Sequence, residues 1–112
     1  MSSHARDDRV RLADIVQAAR TIEEYTSEGE SKFLASKLIQ DAVIRQLEVI
    51  GEAAGNVSGV LRLKHPEVPW RAMRGFASFA KHEYWRVSTR LVWQAAVECK
   101  TIRLAVGRIR TD

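Results

Sequence analysis

His82 and Tyr84 stand two residues apart where a basic amphipathic stretch, Pro69-Trp70-Arg71-Ala72-Met73-Arg74-Gly75-Phe76-Ala77-Ser78-Phe79-Ala80-Lys81, comes to its end. Arg71, Arg74 and Lys81 precede them. Histidine titrates near neutral pH, so a histidine among fixed positive charges, in a chain with no metal-binding motif, suits acid–base work on a phosphodiester. A histidine at a helix end can also be a simple cap. Tyr84 with Trp85 can equally be an amphipathic aromatic pair closing a helical bundle.

The elements that must position these residues read as helices throughout. Leu12, Ile15, Val16, Ala19 and Ile22 recur at three- and four-residue steps, predicting a first helix from about Asp8 to Thr26. Asp7 and Asp8 fall at its N-terminus, where carboxylates favour the helix dipole, and Ser27-Glu28-Gly29 ends it. A second helix is expected from about Ser31 to Ala54. Leu34, Leu38, Ile39, Ala42, Val43, Leu47, Ile50 and Ala54 give it a wide apolar arc, as for a helix contacted on two sides. Its remaining side carries Lys37, Asp41, Arg45, Glu48 and Glu52, with Asp41 and Arg45 a favourable i,i+4 pair.

Residues 57–68 read as a connector with one helical turn. Pro69 opens a third helix, where its missing N–H costs nothing, and that helix holds Met73, Phe76, Phe79 and Ala80 before fraying near His82. Ser88 or Thr89 caps a fourth, carrying Leu91, Val92, Ala95, Ala96, Cys99, Ile102, Ala105, Val106 and Ile109. The expectation is one all-α domain over residues 1–112, an antiparallel up-and-down four-helix bundle with a short connector between its second and third helices. Residues 1–7 and 108–112 are expected to be flexible tails.

The net charge of +4 hides an asymmetry. Residues 1–60 carry 7 Lys/Arg against 10 Asp/Glu, and residues 61–112 carry 11 against 4. A basic half joined to an acidic half suggests one surface for a polyanion and another for a different partner, although exposed helix faces solvated by Arg and Lys give the same count. A single cysteine, Cys99, excludes a disulfide within the chain and reads as a core residue; no Cys/His spacing suits zinc. No metal or cofactor is expected. No apolar run approaches the ~20 residues of a membrane span, so a cytoplasmic protein with no membrane partner is expected.

Arg45 with Ile50-Gly51-Glu52-Ala53, then His65-Pro66-Glu67-Val68-Pro69-Trp70-Arg71, then Gly75-Phe76 and His82-Glu83-Tyr84 together resemble the HepT subgroup of HEPN proteins. The resemblance runs from about Asp8 to Ala105. It implies a HEPN-like helical bundle that acts as a toxin, a metal-independent endoribonuclease, in a homodimer whose subunits share a cleft. It also implies neutralisation by a minimal nucleotidyltransferase antitoxin (MntA-like), which transfers AMP to the tyrosine of an Arg-x4-His-x-Tyr motif.

Residue by residue, His82 matches the motif histidine, the catalytic position, and Tyr84 the AMP acceptor. Ala77 occupies the position of the motif arginine and Ser78 that of the asparagine following it. Arg71 matches an arginine after the family's tryptophan. With Arg74 and Lys81 it is a candidate for RNA binding. Metal-free RNA cleavage needs a base for the 2′-OH proton, an acid for the leaving 5′-oxygen and a cation for the phosphorane charge. Alanine cannot give a guanidinium's bidentate donors, so the expectation is a weakened or inactive ribonuclease. The alternatives are a degenerate HEPN module that binds RNA or a protein without chemistry, and a structural dimerisation module.

Overall fold

Apolar residues at helical spacing build three long helices in the computed structural model, which describes residues 3–81 and 88–110. These are α1 (Ser3–Tyr25), α3 (Lys37–Asn56) and α7 (Thr89–Gly107), with four short helices between them: α2 (Glu30–Ala35), α4 (Gly59–Lys64), α5 (Trp70–Gly75) and α6 (Ser78–Lys81). The described residues contain no strand, and the all-α class expected from the sequence holds. α1 packs against both α3 and α7, α2 bridges α3 and α7, and α5 and α6 lie on α3.

Ile15 and Ile22 of α1, Leu47 and Ile50 of α3, and Cys99 and Ile102 of α7 are buried in one cluster. Each large aliphatic there contributes roughly 1.5–3 kcal/mol by leaving water. Phe33 of α2 joins the cluster and meets Trp93 of α7, ring centroids 5.3 Å apart. Glu23 of α1 receives both a Nε–H and a terminal N–H of Arg103, fastening α1 to α7. That carboxylate raises the Arg103 pKa above its ordinary value.

Three departures from the expected elements have local causes. α1 begins at Ser3, so Asp8 lies within the helix and not at its start. The expected second helix divides at Ser36, whose backbone is extended and whose Oγ accepts the Ile39 N–H at 3.1 Å; this serine ends α2 and caps α3. The break turns Leu34 and Leu38 outward, Leu38 to 80% exposure, although the apolar arc had placed both inside. The expected third helix divides at Phe76 and Ala77 into α5 and α6, with Pro69 in the capping position before α5. On α3, Asp41 pairs with Lys37 (2.9 Å) and Arg45 with Glu48 (2.9 Å), in place of the Asp41–Arg45 pair.

The turn after α1 uses Gly29 at φ +96°, a conformation that side-chain-bearing residues rarely adopt. Ser88 caps α7, its Oγ accepting the Arg90 N–H at 3.2 Å. No helix among the described residues is long and apolar enough to cross a membrane.

Candidate active site

The basic stretch lies in residues 57–81, an arm of three short helices of which α5 and α6 lie on α3 of the scaffold formed by α1, α3 and α7. Its first anchor is Ser58. The Ser58 N–H donates to Asp8 Oδ1 (2.8 Å) and its hydroxyl to Oδ2 (2.7 Å), while the same Oγ accepts the Leu61 N–H (3.2 Å). Asp8, only 5% exposed, therefore caps α4 at second hand from within α1. Val57, Leu61 and Val68 enter the core, so this connector is packed and not merely a link.

The second anchor joins α4 to α5. His65 closes α4, its N–H donating to the Arg62 carbonyl (3.2 Å). Its own carbonyl accepts the Val68 N–H (3.2 Å) and the Trp70 indole N–H (2.9 Å). Trp70 and Met73 are buried, which turns Arg71 and Arg74 to the exposed side of α5. The His65 ring reaches Glu67, Nδ1 to Oε2 3.2 Å. A backbone hydrogen bond, with His65 beside it, holds the Glu67 carboxyl below its ordinary pKa.

The third anchor is a close approach. A Cβ on Gly51 of α3 would stand 2.5 Å from the Ala77 backbone nitrogen and 2.8 Å from the Ala77 Cβ. Only a glycine at 51 lets the α5–α6 corner sit this near the α3 backbone. One turn on, a Cβ on Gly55 would meet Arg74 Nε at 3.8 Å. Phe76 is buried with Ala77, and its ring lies 6.5 Å from that of Phe79. The Ser78 hydroxyl donates to the Gly75 carbonyl (2.7 Å), tightening the corner.

Of the residues singled out from sequence, Arg71 and Arg74 are thus exposed one turn apart, Ala77 is buried against Gly51 at 8% exposure, and Ser78 is exposed. The Lys81 backbone ends α6; its side chain, and His82 and Tyr84 with the other residues of 82–87, lie outside the described residues. Position 77 therefore puts no cation on this face, and the nearest basic side chain before it in sequence, Arg74, rests one α3 turn away at Gly55. Among the described residues no three His, Cys, Asp or Glu side chains gather as metal ligands.

Three residues or pairs were named from the sequence without the roles the structure gives them: Asp8, Gly51 and the His65–Glu67 pair. The Gly51-x3-Gly55 spacing on a buried helix was the available sign of a close approach, and Ser58 three residues before buried Leu61 was the sign of a cap.

The chain is similar to known proteins over most of its length. The model of the family described as "Ribonuclease HepT-like" matches residues 15–105. A Thermococcus cleftensis protein named "Probable ribonuclease HepT" is 40% identical over 94 residues, 83% of this chain and 86% of its own. A Methanocaldococcus jannaschii protein with RNase in its name is 36% identical over 94 residues, with the same coverage of both chains. No solved structure matches. A family match over most of the chain, with relatives 36% and 40% identical, leads to one assignment: this protein belongs to the HepT-like ribonuclease family.

Proposed function

We infer that this chain is a HepT-type toxin: an RNA-binding, metal-independent endoribonuclease in which His82 transfers the proton and the motif cation is missing. The observation that carries the reading is the family match spanning residues 15–105, which includes Arg71, Arg74, Ala77 and His82. The imidazole takes the 2′-OH proton and returns one to the leaving 5′-oxygen, while a guanidinium at position 77 would neutralise the phosphorane. Arg71, Arg74 and Lys81 hold the phosphates on either side.

Neutralisation follows from the same residues. A minimal nucleotidyltransferase transfers AMP from ATP to the Tyr84 phenol, whose proton is lost as the α–β phosphoanhydride breaks and pyrophosphate leaves. The added negative charge and bulk beside His82 oppose phosphate entry. The protein acts as a homodimer, for which its unpartnered apolar side chains are the support: Leu34 and Leu38 near α2, and Leu91 on α7, are all exposed.

A second reading is specifically favoured by Ala77, which is buried against Gly51 where the motif has arginine. On that reading the chain is a HEPN module that binds RNA or a protein partner and cuts nothing.

Restoring the motif separates the two. Ala77→Arg with Ser78→Asn is expected to raise metal-free cleavage of an RNA pool by ~10²–10³, the range typical of a single lost oxyanion donor. His82→Ala in that background should erase the gain. A restored variant that folds, binds RNA and leaves it intact would reject the enzyme and establish the binding module.

A further inference from the structure

His65-Pro66-Glu67 is a part of the chain that neither the proposed chemistry nor the packing fully uses. The backbone of His65 is committed: its N–H caps α4, and its carbonyl takes the Val68 N–H and the Trp70 indole. Those bonds need no imidazole. The ring nevertheless has a partner, the Glu67 carboxylate, 3.2 Å from Nδ1. A carboxylate can only accept, so Nδ1 carries a proton and Nε2 points to the far side of the ring, away from Glu67. The side chain is 26% exposed, so it is neither a core residue nor a freely rotating surface group.

The charges around this ring are unbalanced. Arg62 and Lys64 lie in the last turn of α4, and Arg71 and Arg74 follow on α5. Lys64, Arg71 and Arg74 are exposed, and none of the four makes an ion pair with a described residue. The Trp70–His65 bond ties the start of α5 to the end of α4, so that Lys64, next to His65, and Arg71, next to Trp70, flank this junction in sequence. Arg45, Arg103 and Arg90 are paired, with Glu48, Glu23 and Glu30. In this corner the single acidic side chain, Glu67, is turned to His65.

We propose that the α4–α5 corner is a phosphate-binding subsite for the RNA backbone, with His65 as its oriented donor, Glu67 as the residue that positions it, and Lys64 and Arg71 as its flanking cations. The proposal rests on the RNA reading above and extends it to residues outside the Arg-x4-His-x-Tyr motif. With both ring nitrogens protonated, the imidazolium donates from Nε2 to the phosphate and from Nδ1 to Glu67, a charge-assisted pair of bonds. Lys64 and Arg71 add the salt-sensitive attraction of phosphate neutralisation.

The test uses the full chain and a mixed-sequence 2′-O-methyl RNA oligonucleotide, which has RNA's phosphates but no 2′-OH to attack. His65→Ala is expected to weaken binding roughly tenfold, the effect of losing one charge-assisted bond. Lys64→Gln should lower the slope of log affinity against log salt by about one. Glu67→Ala is the decisive variant, because it removes the acceptor of Nδ1 and makes the corner more positive by one charge. An oriented donor predicts weaker binding for Glu67→Ala, whereas a mere patch of charge predicts equal or tighter binding and overturns the proposal. Native affinity retained in His65→Ala overturns it too. Glu67 is exposed, so its variant tests the idea even if His65→Ala does not fold. If the unmodified protein binds no oligonucleotide at low salt, the RNA reading itself fails. If it binds and only these variants are silent, that reading stands and the subsite alone is rejected.

Discussion

α3 buries seven of its 20 residues, whereas α4 and α5 together bury three of twelve. Helices of six residues are too short to persist alone in water. The scaffold therefore holds itself by distributed apolar burial. The arm holds by a few specific contacts: Asp8 on Ser58, the Trp70 indole on the His65 carbonyl, and Ala77 against Gly51. Charge does not follow this division: Arg103 and Arg45 of the scaffold are paired, but Arg9, Arg11 and Arg20 of α1, like Arg62, Lys64, Arg71 and Arg74 of the arm, have no carboxylate partner among the described residues. A scaffold tolerant of single losses thus carries an arm that is sensitive to them, and the arm leads directly to His82.

The largest effect should come from closing the gap between the two. Gly51→Ala puts a methyl 2.5 Å from the Ala77 backbone nitrogen, which cannot rotate away. The corner must move, at an expected cost of about 3 kcal/mol, the upper part of the overpacking range. Chemical denaturation should show a lower midpoint at unchanged slope. Hydrogen exchange should show the Ala77 and Phe79 amides losing more protection than those of α1 or α7. Adding Ala77→Gly removes the Cβ–Cβ contact but not the approach to nitrogen, so recovery should be partial. An unperturbed Gly51→Ala protein would mean that the arm does not ride on α3 as described.

A smaller effect tests the other anchor. Asp8→Ala leaves the Ser58 N–H and hydroxyl without their acceptors, an expected loss of about 1–2 kcal/mol for two part-buried donors left unpaired. Asp8→Asn keeps one acceptor and should lose less. Exchange protection should fall first in α4, with α3 and α7 unchanged. Loss spread evenly through α1 would instead make Asp8 a scaffold residue.

The same division explains what the sequence disclosed. In α1 and α7, Ile15, Ile22, Val92, Ala96, Cys99 and Ile102 are buried as their periodicity predicted, because a long helix averages its signal over many turns. The breaks at Ser36 and at Phe76–Ala77 interrupt apolar periods that continue across them, so periodicity alone carried the expected helices through. Only the capping chemistry of Ser36 marked the first break. Asp8 misled for a similar reason: an acidic residue near a helix start favours the dipole of its own helix, and its partner lies 50 residues away. Position 77 was legible through the family resemblance alone, and its burial against Gly51 is a tertiary fact that no local pattern encodes.

The smallest effect probes the scaffold itself, through a group that titrates only when the scaffold opens. Cys99 is fully buried, its Sγ 3.4 Å from the Ala95 carbonyl, and burial pushes its pKa from 9.0 to about 12, with Glu23 and Glu98 adding to the rise. A raised acid pKa means the folded thiol keeps its proton where the unfolded one gives it up. Stability is therefore unaffected below pH 9 and falls as pH climbs from 9 toward 12. Between pH 8 and pH 10 the native protein should lose about 1.4 kcal/mol more than Cys99→Ala, which lacks the thiol and cancels the shared titration of lysines and tyrosines. Parallel pH profiles for the two proteins would show that water reaches Sγ in the folded state. Breathing confined to the arm leaves the difference intact, since Cys99 packs among α1, α3 and α7 residues of the common cluster.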